Sequence, residues 1–430
     1  MIRKVLDRTA WLSAGSLIGR ACPVLVMILL GTEVSTAVYA SISIAFLWGT
    51  VVYSITLAGL STIVVQQLAR IDESGAQRRA VQRSGGWALL VAVIPAAALI
   101  MLGGDRAADM FDHAFIADMV VPAACAGTCW SLFSFLTAAL NGLHKSRHAA
   151  VAAGIAGALQ ATGLVTGARV LSGAAAPIWG LAAGSLLAAL GVALMIHRAV
   201  SGSANEVPVP LELNIRAKPL LLATISAASV TPINFAVSHI AAVNGGTHEL
   251  AAFLALEQLH QLAVYVPNIL TIALLPLLAQ ASMRDPQLAR RLVRWSIGLA
   301  IAATLIGAVA GLAAGDVQRL IGNPALDDLA AMRIMMLNAG LALSLSILGA
   351  GLVAFSMFGR ALFANLVWAG LFLGLSWHYA SHGVVALQAA RLTASWVLIG
   401  LASILLWQGA RRSKDTMASN AIVGADASRA

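Results

Sequence analysis

The sequence predicts an all-α polytopic membrane protein: about twelve transmembrane helices in two six-helix lobes, related as parallel repeats by a pseudo-twofold axis, with both termini cytoplasmic. Three observations lead there. The chain is 60% hydrophobic and only 10% charged, with a mean hydropathy of +0.86, whereas a soluble domain carries roughly a quarter charged residues. Apolar runs of about 18 or more residues recur along its whole length. Its Lys and Arg residues gather in alternate loops.

The spans are placed at 10–31, 34–65, 85–103, 118–140, 149–171, 177–197, 217–243, 249–279, 295–315, 328–356, 361–379 and 383–408. Hydrocarbon offers no partner to a free N–H or C=O, so each run must be a helix. The first follows the basic flank "MIRKVLDR". Its apolar part is too long for a signal peptide and no A-x-A site follows, so it is expected to be retained. The second, eighth and tenth spans exceed the bilayer core and are expected to tilt or protrude. Cys22, Cys125 and Cys129 all lie in apolar segments and read as small packing residues, with no disulfide framework or zinc spacing. In the fifth span, Gly154, Gly157, Gly163 and Gly167 predict close helix packing.

Residues 1–198 form the first lobe, 199–216 a cytoplasmic linker with Pro208 and Pro210, 217–410 the second lobe and 411–430 a small, polar tail expected to be disordered. Of 27 Lys and Arg residues, 21 fall in one set of loops and termini, 4 in the other set or at its helix ends, and Arg20 and Arg391 lie inside spans. The rich set faces the cytoplasm. Topology therefore accounts for the net charge of +9, and no nucleic acid is implied. The other loops are short, and the two longest, "GGDRAADMFDHAFIAD" and "GDVQRLIGNPALDD", are acidic.

The halves repeat. Glu33 and Glu249 each precede a very long helix, ending in "VVQQLAR" or "LLPLLAQ", with the basic linkers "AQRRAVQR" and "QLARRLVR" beyond. Glu33 to Glu249 is 216 residues and Gln66 to Gln280 is 214. An even number of spans per half makes the repeats parallel.

With this repeat and these basic linkers, the chain resembles the multidrug/oligosaccharidyl-lipid/polysaccharide (MOP) exporter superfamily, over nearly its whole length. The segment "LLGTEVSTAVYASISIAFLWGTVVYSITLAGLSTIVVQQLAR" resembles the opening of the Wzx-type polysaccharide flippases. The segment "LNGLHKSRHAAVAAGIAGALQATGLVTGARVL" is similar to their turn from the fourth to the fifth helix. The resemblance implies a MATE-like fold in a bacterial inner membrane. It implies a cavity lined by the first two helices of each lobe, and an undecaprenyl-pyrophosphate-linked oligosaccharide as substrate. The partners it implies are membrane lipids and a glycan polymerase or chain-length regulator.

An unpaired charge in lipid is costly, so intramembrane polar residues are the candidate functional groups. Arg20, Asn234, His239, Glu257, His260, Gln261, Asn268 and Arg391 form that set. Gln258, Asn338, Asn365 and Gln388 are further neutral polar residues within spans. Glu257, His260 and Gln261 share one helix face. Pro232 and Pro267 each remove an intrahelical bond, so helices seven and eight are expected to line a polar cavity. Arg20 lies about 15 Å from either end of its helix, too deep to snorkel easily. Arg391 lies about 12 Å from an end and either snorkels or faces the cavity. The two histidines either face the cavity or bond a neighbour. Glu257 either pairs with Arg391 or Arg20, or serves as the coupling group for a proton or a sodium ion. No other cofactor or metal is expected.

Three functions compete. A flippase for a lipid-linked glycan suits a basic cavity, because guanidinium binds phosphate bidentately. A cation-coupled multidrug antiporter calls for carboxylates, and only Glu257 of 18 acidic residues lies deep in a span. A membrane glycan polymerase or ligase needs an outer catalytic loop. No outer loop exceeds about 16 residues, a connector's length, and no triad, metal spacing or phosphate loop is present, so the protein is read as a non-enzyme.

Overall fold

A computed structural model describes residues 2–68, 93–101, 117–143, 145–200, 225, 230–284, 288–355 and 357–427. The secondary structure among them is helical. In the first half α1 is Ile2–Leu30, α2 Thr36–Leu68, α3 the run 93–101, α4 Val120–Gly142, α5 Ser146–Val170 and α6 Ala176–Val200. The run Val230–Arg284 opens the second half and breaks at Gly246, which has φ 67° and ψ −161°. Only glycine adopts that conformation at little cost, and it divides the run into α7 (230–245) and α8 (247–284). Then follow α9 Leu288–Leu312, α10 Ala314–Ile321, α11 Leu329–Ala354, α12 Phe358–His378 and α13 Gly383–Ala427.

Every predicted span therefore meets a helix. Eight of the described helices are long and apolar enough to cross a membrane, from Thr36–Ser54 to Ala380–Gln408. The third span is described only over 93–101, and the seventh only from residue 230 apart from residue 225; the linker from 201 onward lies outside the described residues. Two differences from expectation stand out. The acidic loop after α9 folds into the short helix α10, ended by Gly322 in the left-handed region at φ 65°. Residues 411–427, expected as a disordered tail, continue α13 to Ala427. Up to Gly424 that stretch holds no proline or glycine, so nothing in it interrupts a helix already begun.

Helix pairing repeats between the halves. In the first, α5 packs on α6, α1 on α5, α2 on α4 and α4 on α6. In the second, α12 packs on α13, the α7–α8 run on α12 and on α11, and α11 on α13. This is the correspondence a parallel repeat requires. In the first half small residues bring backbones together: a Cβ on Gly157 would collide with Gly19 of α1, and one on Gly163 or Gly167 with the backbone of α6. Gly154 differs from expectation, since a Cβ there would meet nothing within 4 Å.

The end of α1 (Met27, Ile28, Leu30) and the start of α13 (Val384, Leu387) share one buried cluster, so the start of α1 and the end of α13 point away from it together. At the cluster's end of the bundle, the distal end, the halves close on each other. Met27, Ile28, Tyr39, Ile42, Ile44 and Trp48 share one buried cluster with Val237, Leu250, Phe253, Leu254 and Leu326. Glu249 stiffens that end of the second half. Its carboxylate accepts the backbone N–H of Val384 at 2.6 Å, one of the free donors at the start of α13.

Candidate functional site

Nearer the termini than the sealed seam, the halves separate around a cavity of about 550 Å³. Its lining is built from helical stripes. Arg20 comes from α1; Thr50, Tyr53 and Ser54 from α2; Thr231 and Asn234 from α7; Glu257, His260, Gln261 and Val264 from α8. Offsets of three, four and seven residues place each set on one face. Asn338 and Ser346 on α11, Asn365 and Trp368 on α12, and Arg391 and Ser395 on α13 complete the wall.

The second-half wall holds a buried charge cluster. Arg391 and Glu257 form an ion pair with each side chain only 4% exposed. Arg391 also donates to Asn234 Oδ1 at 3.0 Å. Asn234 Nδ2 in turn donates to Glu257 Oε1 at 2.8 Å, and Gln261 Nε2 donates to the same oxygen at 3.1 Å. The guanidinium carbon lies 5.0 Å from the ring centre of Phe372 and 5.7 Å from that of Phe253. Two aromatic faces and a carboxylate thus replace the water this cation has lost. Beside it, Asn338 Nδ2 donates to the backbone carbonyl of Gln388 at 3.0 Å.

The first-half wall is built differently. Arg20 donates from Nη2 to the Tyr53 hydroxyl at 3.0 Å and lies over that ring at 5.6 Å. Tyr53 is backed by Trp130, whose ring centre is 6.1 Å away, and Trp130 meets Phe46 edge-on at 5.2 Å. Pro23, one turn on from Arg20, lies within α1 without ending it.

Arg20, Asn234, Glu257, His260, Gln261 and Arg391 are therefore brought to one cavity. His239 is half-buried on α7 and is not part of this lining. Five residues beyond Asn234, at about 100° per residue, it points well away from the cavity face. The side chain of Asn268 lies outside the described residues. Arg391 does not snorkel. The carboxylate of Glu257 across the cluster compensates its charge where it stands.

Gln258, adjacent to Glu257, points the other way. It donates to Ser43 Oγ at 3.0 Å and accepts from the Tyr39 hydroxyl at 3.2 Å, both on α2. Besides apolar residues such as Val264 and Leu345, the lining residues not foreseen are hydroxyl-bearing or aromatic: Thr50, Tyr53, Ser54, Thr231, Ser346, Trp368 and Ser395. Singly they are unremarkable in a span. Their signal is spacing from a charged residue or from each other, as in Thr50–Tyr53–Ser54 and Arg391–Ser395.

No family model matches the chain, and no curated protein matches it in sequence. Solved structures do match in shape. An inward-facing multidrug resistance MATE family transporter of the MOP superfamily has a TM-score of 0.72 at 13% identity, over 95% of this chain and 99% of that one. An outward-facing structure of such a transporter has a TM-score of 0.67 at 14% identity, over 95% and 96% of the two chains. A MOP superfamily transporter from Pyrococcus furiosus, described as having a binding pocket of reverse polarity, has a TM-score of 0.66 at 13% identity, over 95% and 96%. The all-helical chain, with its paired helices and central cavity, thus has the fold of the MATE transporters of the MOP superfamily.

Proposed function

We propose that the chain is a flippase that carries an undecaprenyl-pyrophosphate-linked oligosaccharide across a bacterial inner membrane for polysaccharide synthesis, by rocking its two halves around the cavity. The charge of the cavity wall carries this reading. Arg20 and Arg391 contribute +2 and Glu257 −1, so with His260 neutral the lining has a formal charge of +1. Pyrophosphate is an anion that guanidinium binds well. Arg20, held against Tyr53, is the phosphate-binding group of this scheme. The Glu257–Arg391–Asn234 cluster is its coupling element, with a proton or a sodium ion as the coupling ion. The amide and hydroxyl groups around Trp368 suit sugar hydroxyls. The Lys and Arg distribution supports cytoplasmic termini, and a glycan polymerase or chain-length regulator is the expected neighbour in the membrane.

The experiment is translocation of a fluorescent pyrophosphate-linked oligosaccharide lipid in vesicles holding the purified protein. Protein-dependent movement is expected. No movement of any such lipid would reject the reading.

A second reading is a cation-coupled multidrug antiporter. The similar structures favour it, since they include the MATE multidrug transporter DinF-BH, with a TM-score of 0.66 at 15% identity over 94% of this chain and 95% of that one. Drug susceptibility of an efflux-deficient host expressing the chain separates the two. Raised resistance to cationic drugs, without lipid translocation, would favour the antiporter.

A further inference from the structure

An alternating transporter must part whichever end of its cavity is sealed. Here the sealed end is the distal one, and most of what closes it is apolar. Apolar packing sets no register by itself, whereas buried hydrogen bonds are directional and are lost outright when surfaces separate. Among the described residues, Asn323 and Gln258 of the second half make polar contacts across this seam.

Asn323, in the turn between α10 and α11, is 2% exposed. Its Nδ2 donates to the backbone carbonyl of Ile28 at 3.0 Å. That carbonyl, one of the last in α1, also accepts the N–H of Gly31 at 3.2 Å, so Asn323 bonds its second lone pair. Asn323 Oδ1 is fixed by the N–H of Ala325 at 2.9 Å, so the amide is aimed before the halves meet. Gly31 is its seat, since a Cβ there would collide with the Asn323 side chain.

Gln258 makes the other contact. It is 4% exposed and bonds Tyr39 and Ser43 on α2. Its neighbour Glu257 faces the cavity and bonds the second-half residues Asn234, Gln261 and Arg391. One turn of α8 therefore joins the cavity cluster to the seam.

We propose that Asn323 and Gln258 are the latch that holds the distal gate closed, with Gly31 as the seat of Asn323. The latch grips backbone and side chains of the first half and reaches the cavity cluster through the α8 turn. This inference is independent of the cargo, and a gate can be tested without any substrate.

The test is the spread of distances between spin labels at Thr32→Cys and Asp327→Cys, two exposed positions on opposite sides of the seam. The full chain is used in lipid nanodiscs, with Cys22, Cys125 and Cys129 replaced by alanine. The parent should give a short, closed distribution. Asn323→Ala should raise the open population about fivefold, the equilibrium worth of one net buried hydrogen bond; Gln258→Leu, which loses two, should raise it further, and the double variant more than either. Gly31→Ala, which displaces the Asn323 amide, should act in the same direction. An unchanged distribution in Gln258→Leu and in the double variant would overturn the latch. Should Asn323→Ala fail to accumulate, the decision rests on Gln258→Leu, whose leucine fills similar volume in an apolar seam. No opening there overturns the proposal.

Discussion

The buried pair at the heart of the cavity wall makes the sharpest stability prediction. Arg391 and Glu257 are each 3% exposed, and among the described residues the cluster around them offers no alternative anion: the other groups bonded to Arg391 or Glu257 are the amides of Asn234 and Gln261. Replacing Glu257 by leucine leaves the Arg391 guanidinium in the same pocket without its carboxylate. Breaking a buried pair in this way costs about 3–5 kcal/mol. The faces of Phe253 and Phe372, at 5.7 and 5.0 Å, offset ~1–2 kcal/mol of that. The net expectation for Glu257→Leu is a loss of about 2–3 kcal/mol, a thermal midpoint lower by roughly 4–6 °C at about 2 °C per kcal/mol. Arg391→Leu should cost a similar amount by stranding the carboxylate. The double variant removes both charges and should be less destabilised than either single one, because an apolar replacement of a whole pair is often neutral. Thermal denaturation of detergent-solubilised protein, followed by fluorescence-detected size exclusion, closes the double-mutant cycle. A coupling below about 0.5 kcal/mol, or a double variant as unstable as the sum of the singles, would refute the view that these charges hold each other in place.

Arg20→Ala should lower transport of the pyrophosphate-linked lipid by one to two orders of magnitude, the worth of about 1.5–3 kcal/mol of charge-assisted bonding, with the protein still accumulating in the membrane. Arg20→Lys should keep part of it, since the charge remains but the planar fork is lost; normal transport by Arg20→Ala in the vesicle assay would remove Arg20 from phosphate binding. Glu257→Gln should transport without responding to an imposed pH or sodium gradient, and a response equal to the parent's would exclude Glu257 as the coupling group. Gly163→Leu drives a side chain into the Gly180 carbonyl and should lower the yield of monodisperse protein severely, by overpacking worth about 1–3 kcal/mol or more. Gly154→Leu, which meets nothing within 4 Å, should be tolerated, and equal loss in both would discount the packing argument.

Much of this protein is dictated one dimension at a time. Lipid forces the backbone of each apolar run into a helix, so the positions of the spans, and the repeat marked by Glu33 and Glu249, could be read from the chain alone. The list of polar residues within those spans was equally legible. Six of its eight proposed site residues line one cavity. What a linear pattern does not contain is the rotation of each helix about its axis relative to helices far away in sequence. Only packing determines that. It turned Arg391 toward Glu257 rather than toward the membrane surface, and it set Arg20 against Tyr53. It swung His239 off the cavity face while Asn234 on the same helix stayed there. It placed Glu257 and Gln258, adjacent in the chain, in different neighbourhoods, because successive residues on a helix diverge by about 100°. The walls from α11 and α12 were foreseen only in Asn338 and Asn365: Ser346 and Trp368 become groups of a site only where the halves leave space between them.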